Sequence, residues 1–121
     1  MKQEDILGLL LPEEILEYFD LTTAEKTSEG YTLHLEESNI PPIELGKGKY
    51  LSKGFYEPVT VQDFPLRGKP CYLRVKRRRW TNLSTGNIVS RNWDLVATGT
   101  RMTKEFAFFL KGINRYKSGK L

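Results

Sequence analysis

The chain changes its hydrophobic period as it runs, and the changes mark out its elements. Gln3 to Leu11 has the apolar density of a short helix, and Pro12 interrupts it, because a residue without an amide fits the first turn of a new helix. In that next helix Glu13 and Glu14 fall in the first turn, where the helix dipole favours carboxylates, and Ile15, Leu16 and Phe19 share a face. Together these pieces form a helical lead-in over residues 1–20. Gly30 to Glu37 switches to period two, with Tyr31, Leu33 and Leu35 on one side and Thr32, His34 and Glu36 on the other, so a strand is expected. On that strand His34 points away from the apolar row and reads as a solvated side chain. Asn39 to Gly54, with Pro41-Pro42 and Gly46-Lys47-Gly48-Lys49, reads as an exposed connection lying over the fold. Phe55 to Phe64 is β-rich, and Pro65 with Gly68-Lys69-Pro70 punctuates the passage into the next strand.

The alternation is clearest from Cys71 onward. Cys71, Leu73 and Val75 face a core, while Tyr72, Arg74, Lys76, Arg78 and Trp80 share the opposite face. Thr81 to Asn87 supplies turn residues and Ile88 to Val96 returns, which predicts a basic, aromatic β-hairpin. Trp93 shares its row with Val89 and Leu95 and is expected in the core. After Gly99 the period lengthens again. Met102, Phe106, Phe109, Leu110 and Ile113 form one apolar stripe of a helix over 100–116, capped by Thr100 or Thr103. Phe108 lies off that stripe beside Lys104, Lys111 and Arg115, so it either packs on the rest of the chain or, with Lys111 and Arg115, stands ready for contact with a protein partner.

These elements predict an α+β fold: a small antiparallel sheet of about four strands built around the hairpin, preceded by short helices and closed by a packed C-terminal helix. One domain of 121 residues is expected, with a β-rich part over 30–97. At 39% hydrophobic and 28% charged, with six Phe, six Tyr and two Trp, it has the means to bury a core.

Charge sharpens the picture. Residues 1–60 carry five lysines against twelve carboxylates, a net of −7, while residues 61–121 carry fourteen Lys or Arg against three, a net of +11. That asymmetry suggests a surface for a polyanion, with nucleic acid the obvious one, although the two halves could instead neutralise each other within the fold. Arginines on a twisted ribbon can pair with phosphates or guanine edges while a ring stacks on a base. The candidate nucleic-acid contacts are therefore Tyr72, Arg74, Lys76, Arg77, Arg78, Arg79, Trp80 and Arg91 from the hairpin, with Arg101 and Lys104 at the head of the last helix. Duplex DNA, single strands and RNA all remain compatible with this set.

Catalysis finds little support. The basic half offers only Asp63, Asp94 and Glu105, scattered over three elements, and one histidine lies far from the one cysteine, so neither a metal-dependent nuclease nor a nucleophilic triad can be assembled. No metal or cofactor is expected. A lone Cys71 fits a reducing cytoplasm, and no stretch approaches the ~18–20 apolar residues of a membrane span.

The blocks Leu9 to Phe19, Leu51 to Phe55, Val61 to Gly68, Arg77-Arg78-Arg79-Trp80 and Gly99 to Phe106 together resemble the N-terminal region of a bacterial insertion-sequence transposase of the ISAon type. The resemblance spans nearly the whole chain. It implies a separately encoded leader protein acting with a catalytic transposase subunit, and element-end DNA as the ligand. In the wider transposase group a zinc ribbon precedes helix-turn-helix units; Val61 to Trp93 would occupy the ribbon's position, with the helix from Thr100 beginning the helix-turn-helix. The ribbon's cysteine pairs are absent, so Leu73, Val75, Val89, Trp93 and Leu95 would hold the hairpin instead of zinc. The expectation is a non-catalytic DNA-binding module, or alternatively an assembly subunit docking on the catalytic chain; a homo-oligomer is compatible with either.

Overall fold

The computed structural model describes residues 13–93, together with Thr103 and Lys104. Of the described residues 56% lie in strands and 9% are helical, arranged as two sheets, so the expected α+β class is corrected to a mostly β fold. A single turn and a half of helix, α1 (Glu13–Tyr18), leads directly into β1 (Phe19–Lys26) and β2 (Tyr31–Glu37). A 3-10 turn (Ile43–Leu45) follows, then β3 (Tyr50–Phe55), β4 (Val59–Leu66), β5 (Lys69–Lys76), β6 (Arg78–Asn82) and β7 (Ile88–Val89). The packed C-terminal helix expected over 100–116 falls outside the described residues, apart from Thr103 and Lys104. Thr103 sits against β4, its amide donating to the Gln62 carbonyl and its hydroxyl to Asp63 Oδ1.

The larger sheet has the order β1-β2-β5-β4. It is mixed rather than antiparallel, because β2 and β5 run parallel while the outer pairs are antiparallel. Its register lines up apolar rungs: Leu35, Val75 and Val59 are mutual partners across three strands, as are Leu33, Leu73 and Val61. Those rungs make one face of the sheet apolar, and Phe19, Leu35, Val61, Leu73 and Val75 are its buried centre. Leu16, Tyr18 and Trp93 pack over them, with the Trp93 ring tilted against Tyr18 and edge-on to Phe19. Trp93 thus joins the core as expected, although β7 ends at Val89 and the strand row that was to carry it does not form.

The smaller sheet has the order β3-β6-β7 and is antiparallel. Here the expected continuous hairpin is corrected. Cys71 to Trp80 is two strands, not one: the chain leaves the larger sheet after Lys76 and enters the smaller one at Arg78. The hairpin that remains is β6 with the two residues of β7. The break has a physical cause, because β5 is flanked on both sides by β2 and β4 and has no open edge to offer a return strand. Two further strands lie where the sequence shows no alternation. β1 is a nearly solvated edge strand, apolar only at Phe19, Leu21 and Ala24, and β3 occupies the end of the segment read as a connection. In β3 an extra residue near Gly54 (φ +92°), a conformation that suits glycine, bulges the strand so that Phe55 faces Arg78.

Candidate nucleic-acid interface

The run Lys76-Arg77-Arg78-Arg79 straddles the crossover between the sheets, and the ring that ends β3 and the ring after it lie against it. Phe55 has the cationic groups of Lys76 and Arg78 at 5.9 and 4.5 Å from its centroid. Tyr56 has those of Arg77 and Arg79 at 5.0 and 5.6 Å. Because side chains alternate along an extended chain, the even pair faces one way and the odd pair the other, so each ring takes cations from one side of the strand.

Past Lys76, which stays on the outer face of the larger sheet, the even side faces inward. Arg78 donates from Nε to the Glu37 carbonyl (3.0 Å) and from a terminal nitrogen to Ser52 Oγ (2.6 Å), while its amide donates to Glu37 Oε1 (2.9 Å). Trp80 is fully buried and its indole N–H donates to Asn39 Oδ1 (2.9 Å). Arg91 is 8% exposed and its guanidinium lies over Tyr18 and Trp80, at 4.8 and 5.5 Å. It donates to the carbonyls of Ile40 and Pro41 and to Glu44, with Glu37 Oε2 a further 3.6 Å contact. Trp80 and Arg91 are therefore corrected from nucleic-acid contacts to structural residues. A ring without exposed surface cannot stack on a base, and a guanidinium spent on two carboxylates and two carbonyls has little left for a phosphate.

Glu37 is the unexpected centre of this cluster. It follows Leu33 and Leu35 on the apolar side of β2, so the alternation that builds the core also buries a carboxylate, which is fully enclosed. Burial raises its pKa; the Arg78 amide, the Trp93 indole and Arg91 oppose that rise. Glu44, at the other end of the Arg91 fork, is held below the ordinary carboxylate range by that hydrogen bond. Cys71 is a buried free thiol whose pKa burial and the Asp63 charge push up to about 11.

The outer face of the larger sheet takes Tyr72, Arg74 and Lys76 as the alternation predicts, but it mixes them with acids. Arg74 donates to Thr60 Oγ1 at 2.8 Å, Lys76 pairs with Glu36 at 3.5 Å, and His34 pairs with Glu25. His34 is thus a paired strand histidine rather than a merely solvated one.

The odd side is half-buried, and Arg77 Nε is enclosed without a hydrogen-bond partner among the described residues. Among the described residues Arg77 and Arg79 have no carboxylate partner; Arg79 Nε makes a long hydrogen bond to the Lys53 carbonyl (3.4 Å), and the Tyr56 hydroxyl lies 3.4 Å from Ser90 Oγ. β3 brings Lys53 here from the acidic half of the sequence. Segments 46–56 and 77–92, which make up the smaller sheet and its turns, hold seven Lys or Arg and no Asp or Glu. Lys53 and Tyr56 were missed from sequence because nothing local marks β3 as the neighbour of β6. Lys104 is exposed; Arg101, Phe108, Lys111 and Arg115 lie outside the described residues. No helix among the described residues is long and apolar enough to cross a membrane. No protein-family model, curated protein or solved structure matches the chain.

Proposed function

We propose that the chain is a non-catalytic DNA-binding module of an insertion-sequence transposase, acting in the cytoplasm beside a separately encoded catalytic subunit, and that it binds element-end DNA through the open face of the smaller sheet. One observation carries the reading: segments 46–56 and 77–92 hold seven cations and no carboxylate, of which Arg78 and Arg91 turn inward, and the guanidinium groups of Arg77 and Arg79 lie against the Tyr56 ring. A charged surface of this kind attracts a polyanion whatever its sequence, and a guanidinium lying on a ring offers its outer plane to a base. The binding set is accordingly redrawn to Arg77 and Arg79 with Lys53 and Lys49, and Tyr72, Arg74 and Lys76 become secondary. The test is a titration of labelled duplex and of single strands with the full chain across a salt series. If about four cations meet phosphates, log affinity falls against log salt with a slope near −4 on duplex. A flat salt response, or no binding at low salt, sinks the reading. A second reading, an assembly subunit with little DNA binding, draws on the 3-10 turn that holds Ile43 and Leu45 in solvent at 73% and 53% exposure; it gains if the chain is silent with DNA yet retains the catalytic subunit on a column.

A further inference from the structure

We infer that the tip of the smaller sheet is an apolar wedge that enters a base step of duplex DNA and bends it. The inference rests on the DNA-binding reading and goes beyond it, since phosphate binding alone needs no apolar tip.

Leu51 and Ile88 are the direct cross-strand partners of Thr81, so the three side chains stand together on one face. Leu51 is 61% and Ile88 51% exposed, and Leu83, just past the end of β6, is 57% exposed. These aliphatic groups are outside because the other face of the same strands already holds Trp80 and Asn82. The tip is also stiff. Asn82 Oδ1 accepts from the amides of Ser84 and Thr85, the Asn82 amide donates to Asn87 O (2.8 Å), Gly86 donates to Asn82 O (2.7 Å), and Leu83 donates to Lys49 O (2.8 Å). Gly48 lies so close that a Cβ there would sit 2.9 Å from Ser84 Oγ and 3.2 Å from Asn82 Oδ1. A preformed tip loses little conformational freedom when it inserts.

Charge identifies the occupant. Lys47, Lys49, Lys53 and Arg79 belong to the strands and turns around the tip, within segments that carry no acid. A protein face complementary to such a rim would need its own carboxylates around an apolar centre, whereas duplex DNA supplies that pattern at every step: phosphates outside, apolar base faces within. Aliphatic side chains that wedge between base pairs from the minor groove unstack them and kink the helix by on the order of 20–90°.

The experiment uses the full chain and a duplex of about 30 base pairs carrying a fluorophore at each end and a flexible TA step at its centre, reading affinity and energy transfer in one titration. The wild type is expected to raise transfer on binding. The variant Leu83→Ser with Ile88→Ser should bind with the same salt slope while losing roughly threefold or more of the transfer gain, and Leu83→Phe, which keeps the tip apolar, should retain it. Unchanged emission from buried Trp80 and an unchanged urea midpoint establish that each variant folds. Absence of binding by the wild type brings down the DNA-binding reading itself. Binding without a transfer gain, or an equal gain in the serine variant, overturns the wedge alone. Self-association that the serine variant relieves, with bending untouched, assigns the tip to a protein contact and likewise overturns it.

Discussion

The four strands of the larger sheet carry five carboxylates and four Lys or Arg, whereas the smaller sheet and its turns carry seven Lys or Arg and no acid. The acidic and basic halves of the sequence are therefore not the acidic and basic halves of the molecule. β3 crosses from the first half into the smaller sheet and carries Lys53 with it, while Arg74 and Lys76 from the second half remain on the larger sheet among Glu25 and Glu36. Charges on the larger sheet are mostly answered within the fold, and those on the open face of the smaller one are not. Where the sheets meet, the answer is a buried cluster of Glu37, Arg91 and Trp80. That division of labour makes definite predictions about which cations act in stability and which in binding.

The largest expected effect concerns the junction. Arg91→Ala removes both the fork on Glu44 and the counter-charge of Glu37, leaving an enclosed carboxylate without its cation and the Ile40 and Pro41 carbonyls without this donor. Breaking a buried ion pair from one side costs about 3–5 kcal/mol. Arg74→Ala, which gives up a solvent-exposed bond to Thr60, should cost under ~1 kcal/mol. Urea unfolding midpoints of the two variants compare them directly, and equal midpoints would mean that Arg91 does not fasten the junction.

Next in size is the division between the sheets in binding. Lys53→Ala with Arg79→Ala should lower duplex affinity about tenfold and reduce the salt slope by about 2, because two phosphate contacts are lost. Arg74→Ala with Lys76→Ala removes the same formal charge from the larger sheet and should lower affinity by less than about threefold, since only long-range attraction changes. A reversed order of the two effects, measured by fluorescence anisotropy at matched salt, moves the interface back to the larger sheet.

What the sequence disclosed follows the same division. β2 and β5 were legible because they are central strands with one buried face, and burial forces strict alternation at Leu33 and Leu35 and at Cys71, Leu73 and Val75. β1 was not, because an edge strand with most of its side chains in water is under no such pressure. The crossover at Arg77 left no mark either: Trp80 continues the alternation begun at Tyr72, and only the change of sheet turns its side from outside to inside. The charged run itself was visible, but not its split. Alternation predicts two faces for residues 76–79; that Arg78 meets Glu37 and Ser52 while Arg77 and Arg79 meet Tyr56 depends on partners about 20 to 40 residues away in sequence. Arg91 was misassigned for the same reason, since a cation destined for a buried carboxylate looks like any other in a basic segment.

A smaller effect should appear in the pH dependence of stability, where the two carboxylates on Arg91 pull in opposite directions. Glu37 has a raised pKa, so the folded chain holds its proton more tightly than the unfolded chain; the stability this contributes is complete below the ordinary value of 4.5 and is lost as pH climbs through the raised one. Glu44 has a lowered pKa, so its contribution is present above 4.5 and is lost as pH falls through the depressed value. Glu37→Gln keeps an oxygen for the Arg78 amide and should abolish the decline on the higher-pH side, while Glu44→Gln should abolish the loss on the acid side. Urea midpoints from pH 4 to 8 separate the two. Should both variants track the wild type, neither carboxylate titrates differently in the folded chain.

The smallest expected effect bounds how far ion pairing on the larger sheet matters at all. Lys76 and Glu36 approach to 3.5 Å with side chains 44% and 35% exposed, so water screens both and each gives up rotamer freedom to hold the contact. Glu36→Gln should therefore shift stability by no more than about 0.5 kcal/mol, with any shift shrinking further in salt. The same substitution has a more telling consequence for binding. It frees Lys76 on a face that otherwise balances its charge, so duplex affinity should rise slightly, by less than about twofold, if the interface is on the smaller sheet. A rise of tenfold would mean that Glu36 masks a principal contact, and that the larger sheet, its own acids included, meets the DNA.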